Sequence, residues 1–431
     1  MSFEKSFCPS PWFHMRINNS GTYEYCRWKT NYTTRVDFVN NIKNQTPDEF
    51  FQLGMSSLRQ QLLEGHTPAG CDACYVMEQN KKVSGRQRQL LKAGILEPYF
   101  AKSMHSSMLH DDFEYSYNHN GNTTRSVTDW QIDLGNYCNS GCIFCSPESS
   151  SKLAAEFKSI GLIQELPPNS WCNDPALLKK FIDYLITNVD LRYLHFLGGE
   201  TTITPGFQKI LQALVDSGQS NAITIGFTTN LTTWSDSLNS LLTKFNNVNL
   251  GLSIETLTPV NDYLRWPSKL EQTLTILDRW IEFGKQHSWL IQLRPTPTCL
   301  SIGEFSTVYD YAWKHELAVE SCNFLYKPEY MRINTLPEKY RMQARDQLHQ
   351  WILAHSVESQ EQIINTRDPN LAHQQIVQDA QSYLNYIDQA KDESYRLPDL
   401  VHYLKKLEAQ RGNSILNYLP QYEQLFRSSG Y

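Results

Sequence analysis

Three cysteines fall within eight residues, Cys138-Asn139-Ser140-Gly141-Cys142-Ile143-Phe144-Cys145. This C-x3-C-x2-C loop follows an apolar run, so whatever fold forms must bring three soft ligands to the end of a strand. Three thiolates on one tight loop can hold three irons of a cubane [4Fe-4S] cluster, which normally takes four Cys ligands. The fourth iron is then open, and an open metal position is where a substrate or cofactor binds. Zinc is a second reading, although its sites usually pair C-x2-4-C with a distant partner pair. Scattered buried thiols acting as small hydrophobes are a third. The register of the triad, with the aromatic Phe144 before the last cysteine, favours the cluster.

The triad opens a repeating pattern. Residues 127–134 are strand-like and run into the cysteine loop. Further short apolar runs cover 191–197, 222–228, 248–254, 290–294 and 322–326. Helical periodicity lies between them, at 175–188, 205–217, 270–286 and 303–315. Strands alternating with helices of this length predict an α/β fold with a parallel sheet. Six units are fewer than the eight of a closed TIM barrel, so the expected core is a partial, TIM-like (β/α)6 barrel over 127–335. Residues 1–110 form a Cys-rich region. The polar, turn-rich stretch 111–126 reads as a linker. Residues 336–431 are helical, with amphipathic spacing at 337–354 and 400–410. The stretch 360–392 is expected to be helix broken near Pro369. This tail is expected to pack over the open edge of the barrel.

Bulk properties narrow the class. A chain of 431 residues with 40% hydrophobic and 19% charged residues is globular, with two or three units. The net charge of -6 argues against a broad nucleic-acid surface. No run of 18 apolar residues is present, so no membrane span is expected. Ten cysteines without an apolar leader point to metal ligation in a reducing compartment, and a cytoplasmic location is expected.

The barrel pattern and its cysteine loop together resemble the radical S-adenosylmethionine (SAM) superfamily. That resemblance implies an open iron that chelates the SAM amino and carboxylate groups. It also implies reductive cleavage of SAM to a 5′-deoxyadenosyl radical, which abstracts hydrogen from a substrate. Strand two ends in Gly198-Gly199-Glu200, matching the family's motif for the SAM amino group. Two glycines allow close backbone approach, and Glu200 can accept from an ammonium. Strand three ends in Thr228-Thr229-Asn230, where Thr228 and Asn230 share a face and a similar Thr-Asn faces SAM in related branches. Strand four gives Ser253-Ile254-Glu255, followed by Arg265. The resemblance assigns Ser253 to the SAM carboxylate or ribose and Arg265 to the carboxylate. Phe144 would cover the adenine side. Gly141 is expected to let the loop turn tightly where a Cβ would clash, and Arg294 is a weaker candidate.

A second constellation precedes the barrel: Cys8, Cys26, and Cys71-Asp72-Ala73-Cys74. Two pairs of soft ligands allow tetrahedral zinc or a fully ligated [4Fe-4S] cluster. The pattern is similar to the SPASM and twitch auxiliary-cluster modules, which usually follow the barrel, whereas here the cysteines precede it. An auxiliary [4Fe-4S] cluster is favoured because the neighbouring barrel needs electrons. Glu78, Ser84 and Arg86 resemble a recurring tail of such modules and are assigned no chemistry. Cys172, Cys299 and Cys322 read as buried hydrophobes, although Cys299 could face the barrel mouth as a hydrogen donor.

The expected activity is therefore radical SAM catalysis on a peptide or protein side chain, assisted by an auxiliary cluster. The alternative within enzymes is dehydrogenation of a small molecule such as an alcohol or sugar. No residue is assigned to the hydrogen-transfer step. Potentials of [4Fe-4S] clusters extend to about −700 mV, so a flavodoxin or ferredoxin donor is implied. Other classes remain open: an iron–sulfur electron-transfer protein, or a zinc-stabilised binding protein that uses no SAM.

Overall fold

A single eight-stranded sheet organises the computed structural model, which describes residues 6–26, 40–79, 84–92, 106–320, 325, 327–355 and 369–431. Its strands, in chain order, are His14–Ile17 (β1), Tyr23–Glu24 (β2), Asp129–Asp133 (β3), Tyr193–Leu197 (β4), Thr224–Thr229 (β5), Asn247–Leu252 (β6), Leu290–Leu293 (β7) and Ala318–Val319 (β8). The spatial order is β2-β1-β3-β4-β5-β6-β7-β8. Every pairing is parallel except β1 with β2. Strands β3 to β7 lie within a few residues of the expected runs. The last strand falls at Ala318–Val319 instead of 322–326; of that expected run, Leu325 is in no strand and the other residues lie outside the described residues.

The two N-terminal strands extend the expected six. His14 to Ile17 pairs in register with Asp129 to Ile132, so the Cys-rich region donates strands to the barrel's own sheet. The linker expectation also changes. A helix spans Ser106–Asn118, and Phe113 within it is buried against Trp12 and Phe7, at centroid distances of 5.0 and 5.2 Å. The Trp12 indole N–H donates to Ser116 Oγ at 2.9 Å. Arg125 Nε reaches back to Asp112 Oδ1 at 2.9 Å. A polar composition concealed a helix that buries one narrow face.

Register divides the sheet into two unlike faces. Trp130, Ile132, Phe196, Ile225, Phe227 and Leu250 are buried on one of them. The helices Pro175–Thr187, Pro205–Asp216 and Leu270–Gln286 cover this face. Phe181 meets Trp130 at 5.1 Å, Phe207 meets Phe196 at 4.8 Å, and Trp280 meets Phe227 at 6.1 Å. On the opposite, inward face the same strands carry Arg16, Gln131, Asp133, His195, Thr228, Asn249 and Gln292. Barrel interiors are ordinarily filled by branched apolar side chains. This one is lined by hydrogen-bonding groups.

Local signals set the covering helices. Asp174 accepts from the Ala176 and Leu177 amides and Pro175 occupies the first turn, so the helix starts where its first N–H groups need a partner. The tail folds as helices Glu338–Ala354, Pro369–Asp388 and Leu397–Arg411. The second is described from Pro369 on, and residues 360–368, on the other side of the expected break, lie outside the described residues. This helix covers the edge of the sheet as anticipated, and the device is specific. Gln375 Oε1 accepts from the Val319 amide at 3.0 Å, and Gln375 Nε2 donates to the Val319 carbonyl at 2.7 Å. One side-chain amide thus stands in for a ninth strand and protects an edge that would otherwise invite pairing.

Replacing Gln375 by Leu would leave both Val319 backbone groups buried and unsatisfied, at roughly 1–3 kcal/mol each. The expected result is a lower urea midpoint together with faster amide hydrogen exchange at Val319. Unchanged exchange there would show that the clamp contributes nothing to edge protection.

Candidate cluster and cofactor site

The cysteine loop leaves the carboxyl end of β3 through Gly135 (φ 101°), whose amide donates to Asp133 Oδ1 at 3.0 Å. Little of the loop's shape is intrinsic. The Cys138 amide donates to Ser151 Oγ at 3.1 Å, the Gly141 amide to the Trp266 carbonyl at 2.8 Å, and the Ile143 amide to the Leu264 carbonyl at 3.0 Å. Ser150 caps the helix Ser151–Ser159 by accepting from the Leu153 amide, and its hydroxyl donates to the Ser140 carbonyl at 2.6 Å. The residue that starts the following helix therefore also ties down the loop.

The three thiols act on one another. Burial pushes Cys145 up to about 12, with Cys142 and Cys138 adding to the rise. Burial likewise pushes Cys142 up to about 11, while the Arg265 guanidinium pulls in the opposite direction. Three neighbouring thiolates in a desolvated loop are costly on their own, and a bound metal centre reverses that balance by deprotonating its thiols outright. The loop's donor set is therefore the one a cluster requires. Among the described residues no three His, Cys, Asp or Glu side chains converge on a point as direct ligands of a single ion. A cubane instead places each thiolate on a different iron.

Glu200 lies at the end of β4 and is 1% exposed. Its Oε1 accepts from the Thr202 amide at 3.1 Å and the Thr202 hydroxyl at 2.7 Å, and its Oε2 accepts from the Asn230 amide at 2.5 Å. The carboxylate thereby bridges the ends of β4 and β5. Gly198 (φ 95°) and Gly199 (φ 42°) are required for close approach: a Cβ on Gly199 would lie 2.1 Å from the Tyr137 carbonyl oxygen. The glycine pair seats its turn directly on the start of the cysteine loop.

Asn230 was expected beside SAM, and its side chain binds the cysteine loop. Nδ2 donates to Asn139 Oδ1 at 2.9 Å and Ser140 Oγ at 3.0 Å, and lies 3.9 Å from Cys138 Sγ. The Thr228 hydroxyl accepts from Arg294 Nη1 at 3.3 Å on the inward face. Arg294 also pairs with Glu320 at 2.8 Å, and Glu320 pairs with Arg88 of the N-terminal region at 2.9 Å. The Ser253 amide continues the ladder onto the Thr229 carbonyl at 3.0 Å. Phe144 is half-buried.

Arg265 is 5% exposed and pairs with Glu255, Nη1 to Oε1, at 2.7 Å. The other oxygen of Glu255 accepts from the Thr296 amide at 2.5 Å. Arg265 Nε is buried without a hydrogen-bond partner, and Cys142 is the foremost group favouring its charged form. The guanidinium thus sits between a carboxylate and the cysteine loop with one donor unused, as an anionic group at the loop would require. Glu255 was legible only as part of Ser-x-Glu; its pairing was not.

The close contact expected of a Cβ at Gly141 is present and comes from distant side chains: an added carbon would meet Arg411 Nη2 and Glu156 Oε2 at 3.1 and 3.3 Å, while the backbone there is not left-handed. Cys299 does not face the mouth: it is wholly buried, with Sγ 3.7 Å from the Tyr330 carbonyl. Cys172 is buried as expected and donates to the Leu134 carbonyl at 2.9 Å. Cys322 lies outside the described residues.

The other four cysteines meet in one cavity. Cys8, Cys26, Cys71 and Cys74 line it together with Tyr25, Tyr75 and Arg86. Burial raises Cys8 well above the thiol range, and Cys26, Cys71 and Cys74 each add to the rise. Burial pushes Cys71 up to about 11. Glu78 accepts from Ser84 Oγ and from the cavity-lining Arg86, whose Nη1 also donates to the Phe7 carbonyl at 2.9 Å. These three residues, singled out in sequence without a role, join the two helices that flank the cavity.

The fold and this loop define an α/β partial-barrel protein with a three-cysteine loop at the carboxyl end of β3. Residues 132–291 match the family model described as the Radical SAM superfamily. This segment of the barrel is thus a radical SAM domain. Among solved structures, the chain is similar to Streptococcus suis SuiB bound to precursor peptide SuiA, at 15% identity over 74% of this chain and 67% of that one, with a TM-score of 0.38. It is similar to anSMEcpe with bound AdoMet at 17% identity over 52% and 60%, with a TM-score of 0.37. For the methyltransferase TsrM from Kitasatospora setae the values are 11%, 48%, 35% and 0.32. No curated protein matches the chain. No helix among the described residues is long and apolar enough to cross a membrane.

Substituting Asn230 by Ala removes donors to both Asn139 and Ser140, so a loss of roughly 1–3 kcal/mol is expected. Timed alkylation of metal-free protein, read by mass spectrometry, is expected to show faster labelling of Cys138. Thr228→Ala, which removes the hydroxyl that accepts from Arg294, is expected to leave that rate unchanged.

Proposed function

We propose that Cys138, Cys142 and Cys145 hold the catalytic [4Fe-4S] cluster and that SAM binds at its open iron. When bound, that cluster supplies the electron for reductive cleavage of SAM, and hydrogen abstraction from the substrate follows. The observation that carries this assignment is the thiol triad, with Cys142 buried and Cys138 and Cys145 half-buried, and the unused Nε donor of Arg265 beside it. In this reading Arg265, held by Glu255, receives the carboxylate of SAM, and Ser253 lies within the same strand end. Gly198 and Gly199 let the backbone approach the methionine part. Glu200 retains its protein hydrogen bonds and offers remaining lone pairs to the amino group. Asn230 holds the loop, Thr228 orients Arg294 towards the interior, and Phe144 borders the adenine.

Cys8, Cys26, Cys71 and Cys74 are proposed to bind an auxiliary [4Fe-4S] cluster that relays electrons, with zinc as the competing occupant. Their common cavity supports a shared ligand. The regions 1–110, 127–335 and 336–431 are read as auxiliary-cluster region, barrel and tail. The inward face of the sheet is polar and Gln131 Nε2 is buried there without a hydrogen-bond partner, which favours a substrate that hydrogen-bonds. A peptide or protein side chain fits that requirement and is the reading preferred here. A sugar or other small alcohol satisfies it too. A flavodoxin or ferredoxin would supply the electrons.

Anaerobic reconstitution, with iron and sulfide quantified and 5′-deoxyadenosine assayed after reduction with SAM, tests the whole reading. About eight irons per chain are expected for two clusters, with deoxyadenosine formation abolished by Cys142→Ala. A Cys71→Ala/Cys74→Ala variant is expected to retain about four irons. Four irons plus one zinc in the parent protein would assign the N-terminal site to structure. A fully loaded, reducible protein that forms no deoxyadenosine would overturn the catalytic reading.

A further inference from the structure

The helical tail does more than cover the sheet edge; it grips the cysteine loop. Arg411, at the end of the helix Leu397–Arg411, has a side chain only 2% exposed. Its Nη2 donates to the Gly141 carbonyl at 2.7 Å. Nε and Nη2 also pair with the two oxygens of Glu156 at 2.7 and 2.6 Å. The guanidinium lies 4.8 Å from the centre of the Trp266 ring, whose backbone carbonyl accepts the Gly141 amide. From the same helix Tyr403 donates its buried hydroxyl to the Ile143 carbonyl at 2.7 Å. The helix is fixed in turn by Glu408, which accepts from Tyr263 Oη at 2.6 Å and from the Ile415 amide at 2.7 Å.

These contacts land on the two residues that flank Cys142. Gly141 is held through both of its backbone polar groups, its N–H by Trp266 and its C=O by Arg411. Ile143 is held by Leu264 and Tyr403 in the same way. A Cβ at position 141 would lie 3.1 Å from Arg411 Nη2 and 3.3 Å from Glu156 Oε2, so the absence of a side chain lets the pair sit this close. We propose that Arg411 is a positioning residue for the cluster loop: with Tyr403 it sets the direction in which Cys142 presents its thiolate, so the tail is part of the cofactor site. This rests on the reading of Cys138, Cys142 and Cys145 as cluster ligands.

A merely structural role can be separated from a positioning one. A buried ion pair can often be replaced by apolar residues of similar volume without loss of stability. The double variant Glu156→Leu/Arg411→Met tests this, because neither new side chain can donate to Gly141. It is expected to melt close to the parent protein. After reconstitution, its SAM-responsive cluster is expected to lose iron to a chelator about tenfold faster, the lower end of what outer-shell substitutions cost in metal affinity. The part of the reduced EPR spectrum that shifts on adding SAM is expected to broaden. Arg411→Lys, which retains one donor, is expected to recover part of the slow iron loss. Tyr403→Phe, which deletes a single hydroxyl, is expected to show a smaller acceleration. Arg427→Ala, on the exposed surface of the tail, is expected to match the parent.

Parent-like chelation rates and spectra in a folded double variant would overturn the inference and leave the site reading intact. So would a parent-like rate in Tyr403→Phe if the double variant does not fold. If Cys138→Ala loses no iron relative to the parent, the ligand assignment itself is wrong, and the inference falls with it.

Discussion

The inversion of polarity across the sheet is the constraint on which the rest depends. A parallel sheet must bury at least one face, and this one directs Trp130, Phe196, Phe227 and Leu250 outward beneath helices. Hydrophobic burial outside the barrel leaves its interior free of the usual packing duty. Room is made there deliberately. A Cβ at position 226 would meet Tyr193 Oη at 2.4 Å, and one at 251 would meet Thr228 Oγ1 and Arg294 Cδ at 2.6 Å. Two mid-strand glycines, each a liability for strand stability, thus admit large polar side chains from neighbouring strands. The inward charges are partnered as well. Arg16 pairs with Glu24 and Asp133 on the β1–β3 side, and Arg294 with Glu320 on the β7–β8 side.

The site at the mouth follows from where the strands stop. Gly135, Gly198 and Asn230 end β3, β4 and β5, and each either turns the chain into the cysteine loop or supports it. That loop is a short irregular segment, and its backbone groups must be satisfied by something. They are satisfied by distant elements: Leu264 and Trp266 after β6, Ser150 and Ser151 after the loop itself, Asn230 after β5, and the tail. A cluster ligand set built this way is preorganised by the fold and not by its own eight residues.

Much of this was legible in sequence, for identifiable reasons. Strands β3 to β7 announce themselves by apolar runs bounded by glycines and helices. The cysteine triad and Gly198-Gly199-Glu200 are local patterns, so spacing alone reveals them. β1 and β2 escaped because four and two residues carry too short an alternation to stand above background. The helix Ser106–Asn118 escaped because it buries so little of its surface. The grip of Arg411 on Gly141 spans 270 positions of sequence, and nothing local to either residue signals the other. At Gly141 the sequence suggested that a Cβ would clash, but which groups it would meet, Arg411 and Glu156, only the fold can supply.

Two buried ion pairs flank the loop, Glu255–Arg265 on one side and Glu156–Arg411 on the other. Pairs of this kind are poor sources of stability, because desolvation consumes most of the Coulombic gain. Their value lies in direction. Each carboxylate fixes a guanidinium plane, and each guanidinium then aims a remaining donor at the loop region. Arg411 spends its donor on the Gly141 carbonyl, while Arg265 keeps Nε unused. One arginine is thereby committed to the protein's own backbone and the other is left for a ligand. The asymmetry is what a fixed ligand loop beside an open anion position needs, and two apolar pairs of equal volume could provide neither.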